Sequence, residues 1–473
     1  MINMLIKNGD VFTMSGDGVG YMEAGAVAID GNKIVAVGPS SELEREYSAE
    51  RTVDATDKAV LPGLIDGHVH TCIALTRGLA QDAPFWHLGV DDYFQKIGVE
   101  GLESGAQLSA IEAIRHGTTT LADYGPGVTL TAPLYEKIGV RAALSVLITE
   151  LPPVDRELDH NELFPLDPAR GEGGFLENLS LVENWHGAAE GRITAMFGPQ
   201  GPDYCSKELL VRCREAAEKY DVKLHHHLGQ SEREIIQVQK RYGKRPVEFI
   251  RELGYLGDRL LAAHMSRLTD EEVEEVARSG ASMAFCPSSQ VLCDGIVSPA
   301  DVFSRAGGNV CLGTDETCTN HGVNLFVDMK VAAILLKMKN ADLTEMPTWK
   351  VLRMATIEGA RALGLGDQIG SLEAGKKADL ILVDLTRPTM IPVLRSPVRN
   401  IAPNLVMSAT GEEVTMSIVD GKIIYEDGKI LTIDEDQALA YAQKSAEQMS
   451  KAAADAVREH DTPQYQMTRE GRY

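Results

Sequence analysis

The chain has 473 residues, of which 44% are hydrophobic and 24% are charged, a composition typical of a soluble globular protein. Its 69 acidic residues against 46 lysines and arginines give a formal net charge of −23. Nucleic acids and anionic membranes are therefore excluded as expected partners, because both require clustered basic side chains.

Targeting and redox signals point to the cytoplasm. Lys7 and Asp10 interrupt the N-terminal apolar run before a signal-peptide core forms, and no run approaches the roughly eighteen apolar residues of a membrane helix. The 7 cysteines are scattered and form no CxxC pair. An odd, dispersed set is not a disulfide framework, so we expect a reducing, cytoplasmic location.

The two ends of the chain have a similar pattern of predicted strands and turns. Residues 1–60 alternate β-rich runs with Asn-Gly and Asp-Gly turns, which is typical of antiparallel hairpins. The same pattern returns in residues 366–435. Because these two segments flank a long middle, they predict one small composite β-sandwich domain built from both ends.

Residues 61–365 predict a larger domain. Eight short apolar runs alternate there with amphipathic helical segments, which indicates an α/β fold of the (β/α)8 TIM-barrel type. The eight runs are VLPGLIDGHVH, TTTLADYG, RAALSVLI, RITAMFGP, VKLHHHL, RLLAAHM, ASMAFCP and NVCLGTD. Residues 436–473 predict a final helix on the surface or against a partner, followed from Thr462 by a polar tail that we expect to be loosely held.

Residue types that bind metals stand at the ends of four of these runs. His68 and His70 end the first run, and they point the same way because side chains two apart share one face of a strand. His227, His264 and Asp315 end the fifth, sixth and eighth runs. We expect all five to converge, since the carboxyl ends of barrel strands carry the functional groups. Imidazoles with one carboxylate suit a catalytic divalent ion, Zn²⁺ first, with Fe²⁺ or Mn²⁺ as alternatives.

Several longer motifs stand along the chain: PGLIDGHVH, LAAHMSRLTDEE, GTDETCTNHGVNLFVDMK and MATIEGARALGLGDQIGSLEAGKKADLILVDL. Together with His227 they resemble the amidohydrolase superfamily, and more narrowly its branch of S-adenosylhomocysteine, guanine and cytosine deaminases and s-triazine (atrazine chlorohydrolase-like) hydrolases. The resemblance runs from about residue 3 to residue 432.

The resemblance implies one divalent metal ion per subunit, with His68, His70, His227 and Asp315 as its ligands. Hydroxide formed on the ion would attack an sp² carbon of a nitrogen heterocycle. Asp315 would accept and pass on a proton, and His264 would polarise the substrate, so these two are the expected catalytic residues.

The sequence departs from that branch around the predicted pocket. Deaminases of the branch usually carry His-x-x-Glu after strand five, whereas Gln230 stands here in place of the glutamate, and an amide cannot carry a proton. Gln200 replaces a histidine after strand four, and Phe285 and Gln290 replace the commoner His and Asn after strand seven. We expect Gln200 and Gln230 to bind substrate as neutral partners of a ring-amide or aminotriazine edge; simple drift is the alternative.

Three acids near these positions are possible replacements for the missing glutamate. Glu234 is expected instead to form a capping box with Ser231 at the start of the next helix. Glu232, in the first turn of that helix, is expected to be solvated. Glu316, next to Asp315, is a rival carrier of the proton.

Further side chains are expected around the site. Residues 71–90 should form a lid over it, and Trp86 either stacks on a substrate ring or packs within the lid. His225 is expected one layer deeper on the strand face of His227, and His226 to point outward toward the helices. The substrate contacts predicted from the lid and from the loop after strand eight are Arg77, Gln81, Trp86 and His321.

The leading functional hypothesis is a metal-dependent aminohydrolase that releases ammonia from a purine, pyrimidine or triazine-like ring. One alternative is displacement of halide or sulfide, which needs less help from a proton donor and is therefore favoured by Gln230. Opening of a cyclic amide is another. A metal-retaining binding protein without turnover is the alternative from a different class. Expected partners are a small heterocyclic substrate and water, and relatives suggest a homo-oligomer.

Overall fold

The computed structural model describes residues 1–83, 85–153 and 158–473. Strands and helices alternate along most of this range, in keeping with the predicted α/β class, and both are numbered in chain order. The strands are β1 Ile2–Phe12, β2 Tyr21–Asp30, β3 Lys33–Pro39, β4 Ala49–Asp54, β5 Lys58–Pro62, β6 Leu64–His70, β7 Thr118–Gly125, β8 Arg141–Val146, β9 Ile193–Ala195, β10 Leu224–Leu228, β11 Leu260–His264, β12 Ser282–Phe285, β13 Asn309–Leu312, β14 Asp315–Glu316, β15 Leu380–Asp384, β16 Val414–Val419, β17 Lys422–Glu426 and β18 Lys429–Ile430.

A 3₁₀ helix covers Thr71–Thr76, directly after β6. The α-helices are α1 Ser40–Glu46, α2 His87–Phe94, α3 Val99–Arg115, α4 Val128–Ile138, α5 Pro168–Trp185, α6 Ala188–Gly191, α7 Lys207–Tyr220, α8 Glu232–Tyr242, α9 Pro246–Glu252, α10 Asp270–Arg278, α11 Pro287–Asp294, α12 Ala300–Arg305, α13 Thr317–Asn320, α14 Leu325–Asn340, α15 Thr348–Met354, α16 Ile357–Ala362, α17 Ile401–Met407, α18 Glu435–His460 and α19 Pro463–Arg469. Among the residues described, none of these helices combines the length and hydropathy that crossing a membrane would need.

Strands from both ends of the chain share one sheet. Nine strands of the described chain pair in the order β18-β17-β16-β15-β5-β1-β2-β3, with β4 beside β1. The two ends meet where β5 runs antiparallel to β15, with Pro62 opposite Leu380. Alternate residues of β2 feed apolar clusters on opposite faces, as the period of a strand requires: Val27 and Ile29 on one, Ala26 and Ala28 on the other.

The middle of the chain contributes two parallel sheets. One has the order β14-β6-β7-β8-β9 and the other the order β10-β11-β12-β13. A parallel bridge between Phe197, just after β9, and Leu224 in β10 connects them. Every residue of β6, β10 and β11 is buried, as expected for parallel strands covered on both faces. The carboxyl ends of these strands therefore open toward one common edge.

β13 and β6 approach closely just before Asp315. Gly313 follows β13, and a Cβ atom there would lie 2.9 Å from the Cβ and the main-chain oxygen of His68. Because real Cβ atoms do not approach that closely, only glycine allows this contact. The Gly-Thr-Asp run thus delivers Asp315 to the strand that carries His68 and His70, where it pairs with Val69.

The C-terminal helices cover the segment that follows β6. α18 packs there through a buried apolar cluster formed by Leu75, Ala442 and Met449. The tail beyond it is not loosely held as expected, because α19 is helical and Gln464 donates to the main-chain oxygen of Gln81. Tyr473 also donates to Asp82, at 2.6 Å. These anchors are polar, so the apolar content of the tail carries no sign of them.

Candidate metal centre and active site

The five residues predicted at strand ends come together. His68 and His70 lie in β6, His227 in β10, His264 at the end of β11 and Asp315 at the start of β14, and all five are buried. The Nε2 atoms of His70 and His68 lie 3.2 Å and 3.5 Å from Oδ1 of Asp315. Ligand atoms of His68, His70 and His227 lie within 4.8 Å of one another, and so do those of His68, His264 and Asp315.

Hydrogen bonds to main-chain oxygens fix the tautomer of two imidazoles. Nδ1 of His70 donates to the carbonyl of Tyr124, at the end of β7. Nδ1 of His227 donates to the carbonyl of Gln200 at 3.0 Å. A proton on Nδ1 leaves the lone pair on Nε2, so both rings present an Nε2 ligand atom to the centre.

The other two histidines of the HHH run have the positions predicted for them. Nε2 of His225 lies 2.8 Å from Nδ1 of His68, and Nδ1 of His225 lies 3.2 Å from Oγ of Ser145. His225 therefore sits beneath the centre and orients His68. The ring of His226 lies away from this group, with its centroid 5.5 Å from that of Tyr255.

A divalent ion fits this arrangement. Oδ1 of Asp315 and Nε2 of His68 are buried and have no hydrogen-bond partner among the described residues, although they face each other across 3.5 Å. Tetrahedral ligands at ordinary Zn–N and Zn–O distances are about 3.4 Å apart. The separations of both imidazoles from Asp315 are close to that value, so these orphaned atoms suit a shared ion.

Burial keeps most of the imidazoles in the neutral form that a metal requires. It lowers the pKa of His68, and it lowers the pKa of His227 well below the usual range, with neighbouring rings adding to the effect. Burial also opposes charge on His70, but the facing Asp315 outweighs it and raises the pKa of His70. Burial alone would raise the pKa of Asp315, yet the facing imidazoles of His68 and His70 hold it well below its usual range.

His264 stands beside the potential ligands. Its Nε2 lies 3.9 Å from Oδ2 of Asp315, and its ring stacks on that of His227 with centroids 5.3 Å apart. Neither ring nitrogen has a hydrogen-bond partner in the described part of the chain, and burial lowers the pKa of His264 to about 3. His264 and Asp315 have φ angles of +76° and +65°, a left-handed conformation that costs energy and is concentrated at functional sites.

Two side chains that support the Asp315 segment escaped the sequence analysis. Ser289 in α11 donates to Oδ2 of Asp315 at 2.7 Å. Asp66 accepts from the amide of Thr314 at 3.0 Å and from the amide of His68 at 3.3 Å, which ties the two segments together. Both are buried polar residues: Asp66 lies within the PGLIDGHVH motif, and Ser289 directly precedes Gln290, one of the departures from the family pattern. Their places in or beside these named positions are the sequence signal that could have identified them.

Glu316 also faces the centre. Its Oε2 lies 3.7 Å from Nε2 of His70, and its carboxylate belongs to a possible ligand group with His70 and Asp315. Burial, reinforced by the adjacent Asp315, raises the pKa of Glu316 well above its usual range. The hypothesis that Glu316 carries a proton therefore has a geometric basis.

The two glutamines predicted to contact substrate border His227. Both are partly buried, and Gln230 lies three residues after His227. Their hydrogen bonds within the described residues run through the main chain: the carbonyl of Gln200 accepts from His227, and that of Gln230 accepts from Gln290 at 3.4 Å. The side-chain amides are thus left available on this wall of the site.

The predicted capping box between Ser231 and Glu234 is wrong. Ser231 makes no capping hydrogen bond, and the carboxylate of Glu234 accepts instead from the amides of Gly229 and Gln230, at 2.8 Å and 2.9 Å. Glu234 thereby holds the loop that carries Gln230. Burial first, and then the nearby Asp203, raise the pKa of Glu234 to about 8.

The other predicted substrate residues have different surroundings. Arg77 forms an ion pair with Glu112 of α3. Oε1 of Gln81 lies 2.6 Å from Nε2 of His321, in the loop after Asp315. Trp86 packs within the lid, in agreement with the packing alternative, and its apolar cluster contains Ala80, Val90, Phe94 and Cys318. Of this set, the structure brings only Gln81 and His321 into contact.

Comparison with known proteins agrees with this geometry. The model of the Amidohydrolase family matches residues 59–424, and that of an imidazolonepropionase-like composite domain of bacteria matches residues 25–47. A 5-methylthioadenosine/S-adenosylhomocysteine deaminase of Moorella thermoacetica is 36% identical over 447 residues, which are 94% of this chain and 99% of the relative.

Two solved structures extend the comparison. An adenosine deaminase from Xanthomonas campestris with bound zinc has a TM-score of 0.87 at 29% identity, covering 95% of this chain and 99% of that one. Atrazine chlorohydrolase from Arthrobacter aurescens, in complex with zinc, has a TM-score of 0.81 at 26% identity, covering 94% and 100%.

The chain belongs to the amidohydrolase family. The resemblance drawn from the sequence motifs is therefore confirmed, and so is the prediction that the protein is a hydrolase acting on carbon–nitrogen bonds. A group of histidines and a carboxylate able to hold a metal is present where the motifs place it.

Proposed function

We propose that this enzyme is a metal-dependent aminohydrolase that releases ammonia from an aminated carbon of a purine, pyrimidine or triazine-like ring. The observation that carries the proposal is the convergence of His68, His70, His227, His264 and Asp315, with the buried Oδ1 of Asp315 lacking any hydrogen-bond partner among the described residues. The names of the Moorella and Xanthomonas relatives, both deaminases of adenine-containing compounds, support the choice of reaction.

The architecture is part of this proposal. Residues 61–365 would form the (β/α)8 barrel, since the bridge from Phe197 to Leu224 links the two parallel sheets and β13 leads directly to β14 beside β6. Residues 1–60 with 366–435 would form the composite β-sandwich domain, and residues 436–473 the C-terminal helices. The nine-stranded sheet built from both ends supports that division.

His68, His70, His227 and Asp315 would hold one divalent ion per subunit, with Zn²⁺ the first choice and Fe²⁺ or Mn²⁺ the alternatives. Three imidazoles and a carboxylate are the donor set that such ions prefer. When bound, the ion would supply a water that is ionised near neutral pH.

The two proposed catalytic residues would have separate roles: Asp315 would accept a proton, and His264 would stabilise charge on the substrate. Oδ2 of Asp315, which Ser289 holds at 2.7 Å, is the acceptor for a proton from the nucleophilic water. His264 is neutral and has two ring nitrogens without partners among the described residues, so it can hydrogen-bond the substrate at the attacked carbon or its substituent.

Gln200 and Gln230 would recognise the ring. A neutral amide pairs one donor with one acceptor, which matches a ring-amide or amino-ring edge and does not match a charged group. Gln81 and His321 would contact the part of the substrate nearer the lid. Arg77 and Trp86 also remain proposed contacts, although both already have partners in the protein.

Displacement of halide or sulfide is the second candidate reaction, and Gln230 favours it. Halide and sulfide leave without being protonated, whereas ammonia does not, and glutamine cannot deliver the proton. The likeness to atrazine chlorohydrolase supports this alternative. Ring opening of a cyclic amide would use the same nucleophile on a carbonyl carbon.

A cytoplasmic homo-oligomer is also proposed. The described residues form no disulfide, and all 7 cysteines are free. One face of α14 exposes Val327, Ile334 and Met338, the last at 66%, which is the kind of apolar surface that self-association covers. Sedimentation analysis at several concentrations tests the oligomer directly.

The function is tested by metal analysis followed by product analysis. The purified enzyme should contain about one equivalent of divalent metal, and a chelator should remove activity that added Zn²⁺ restores. A panel of aminated purines, pyrimidines and triazines, with chlorinated and methylthio triazines beside them, is then assayed for ammonia, halide and thiol. Metal with no ammonia from any member would reject deamination, and halide or thiol release would favour the alternative.

A further inference from the structure

We propose that Gln464 is a positioning residue that acts through Gln81 to hold the cover segment against the loop after Asp315. The cover segment is residues 71–83 and 85–94, from the end of β6 to the end of α2. The inference rests on the proposed function in one respect, because Gln81 and His321 are substrate residues only within it. It makes the C-terminal helices part of the substrate pocket's support.

The first observation is how closely the C-terminal helices follow the cover segment. Ala442 and Met449 of α18 are buried against Leu75, and Leu79 and Tyr93 of the segment pack at the border of this cluster. Without this contact, the apolar side chains of Ala442 and Met449 would be exposed to water. α18 therefore provides the apolar surface against which the cover segment packs.

The second observation is a row of polar contacts along the same segment. Nδ1 of His460 lies 2.9 Å from Oδ1 of Asp92, and Tyr473 donates to Asp82 at 2.6 Å. Between them, Gln464 donates to the main-chain oxygen of Gln81. Asp82 has a φ of +59°, a conformation that few non-glycine residues adopt without support from their surroundings.

Gln464 fits this place closely. A Cβ atom on Gly89 would lie 2.9 Å from Nε2 of Gln464 and 2.0 Å from the main-chain oxygen of Leu79, so the side chain is seated where α2 carries no side chain of its own. Oε1 of Gln464 is buried and has no hydrogen-bond partner among the described residues. Within the described residues, the hydrogen bond of this amide therefore runs from Nε2 to the carbonyl of Gln81.

Gln81 passes this constraint to the candidate site. Its Oε1 lies 2.6 Å from Nε2 of His321, which directly follows the short helix α13 and has a φ of +68°. α13 begins two residues after Asp315. A shift of the Gln81 main chain therefore moves His321 relative to the metal-binding residues, while the ligands themselves stay fixed by their own hydrogen bonds.

Hydrogen exchange tests the contact without any substrate. In the full-length enzyme with its metal, Gln464→Ala should speed amide exchange at residues 77–83, 85–92 and 317–321 by about tenfold or more, because local opening loses an anchoring hydrogen bond. Gln466→Ala is the matched control, since Gln466 lies on the same helix and bonds Asp461 instead of the cover segment. Gln464→Glu, which keeps the shape and loses the donor, repeats the test if the alanine variant folds poorly.

Unchanged exchange in the Gln464 variants, or equal changes in Gln466→Ala, would overturn the proposal. A change confined to residues 77–92, with residues 317–321 unaffected, would also overturn it, because the relay through Gln81 would then be missing. These outcomes stand whether or not the enzyme deaminates any compound. Failure of the substrate panel therefore rejects the proposed function and leaves the result for Gln464 readable.

Kinetics with any accepted substrate separates positioning from a general structural role. Gln464→Ala should raise KM by about three- to tenfold and leave kcat within about twofold, because it loosens a binding wall and spares the metal centre. In a Gln81→Ala background the same change should have almost no further effect on KM, since the relay is already cut. A loss of kcat with unchanged KM, or a full effect in that background, would contradict the relay.

Discussion

The centre, formed by the proposed ligands His68, His70, His227 and Asp315, and the wall, formed by Gln200 and Gln230, are held in opposite ways. His68, His70 and His227 are buried, and the second nitrogen of each is held by another group of the protein. Gln230 lies three residues after His227, and Gln200 contacts His227 through its carbonyl. Both glutamines are partly buried, and among the described residues they form hydrogen bonds through their main chains alone.

Under the proposed function, this difference separates activation of water from choice of substrate. The side chains of the wall can change without disturbing the centre, because among the described residues no proposed ligand is hydrogen-bonded to the side chain of Gln200 or Gln230. Relatives with similar folds and bound zinc bear the names of a deaminase and a chlorohydrolase, as such a separation allows. Substitutions on the two sides should therefore affect different quantities.

The largest effect is expected at the centre. Asp315→Asn keeps the size of the side chain but removes its charge and its ability to accept the proton, so kcat/KM should fall by about three orders of magnitude or more. Metal content and kcat/KM are measured together, beside Asp367→Asn on an exposed loop as control. Turnover within tenfold of the wild type would remove Asp315 from the mechanism and the proposed site with it.

Neighbouring histidines provide the next test. His225→Phe removes the group that orients His68, and losses of this kind weaken metal binding by about 10- to 100-fold. His226→Phe is its control, because His226 is equally buried, lies next to it and contacts Tyr255 on the other side of the strand. Competition with a metal chelator gives both affinities. Equal losses in the two variants would mean that packing, not orientation, sets the affinity.

Gln230→Glu tests the wall. If the native reaction is not deamination, a carboxyl group three residues after His227 should raise ammonia release from an aminated substrate by about tenfold. This is less than the roughly 10²- to 10⁴-fold contribution of a positioned general acid, because no described residue holds a side chain at this position. Metal content should not change, since Gln230 orients no ligand. A rise in halide release instead of ammonia, or a loss of metal, would contradict the separation of wall and centre.

The sequence predicts the residues of the centre better than it predicts the side chains that hold them, Ser289 and Asp66, and the reason is physical. His68 and His70 share a strand face by local period. The other proposed ligands, His227 and Asp315, lie at the ends of apolar runs whose order follows from the β–α alternation. Ser289 reaches Asp315 across 26 residues of chain, through a contact that no local pattern encodes. Asp66 is visible in its motif, yet its bond to Thr314 exists only once β6 and β13 lie side by side.

The predictions for the C-terminal tail and for the capping box at the start of α8 are wrong for related reasons. The tail has few apolar residues, and its order comes from hydrogen bonds to distant partners such as Gln81 and Asp82. At α8 the Ser-x-x-Glu pattern correctly marks the helix start, but the buried loop at Gly229 offers Glu234 two amide donors. Those donors satisfy the carboxylate better than one exposed cap would.

The smallest effect concerns this same Glu234 and the pH dependence of stability. Burial, as the main cause, raises the pKa of its carboxyl group in the folded protein to about 8 from a usual value near 4.5. Between these values the folded protein holds a proton that the unfolded chain releases, so the free energy of unfolding falls as the pH rises from about 4.5 to about 8. Glu234→Gln carries no ionisable group and keeps one amide oxygen as an acceptor.

The variant should therefore gain on the wild type as the pH rises, with its melting temperature moving from lower at about pH 5 to higher, by a few degrees, at about pH 9. Glu232→Gln, exposed two residues earlier, should run parallel to the wild type throughout. If Glu234→Gln also runs parallel, the carboxylate is already ionised at pH 5 and its two amide bonds outweigh its burial. In that case the loop of Gln230 would be held by charge, and the wall would be less free to change than the glutamines suggest.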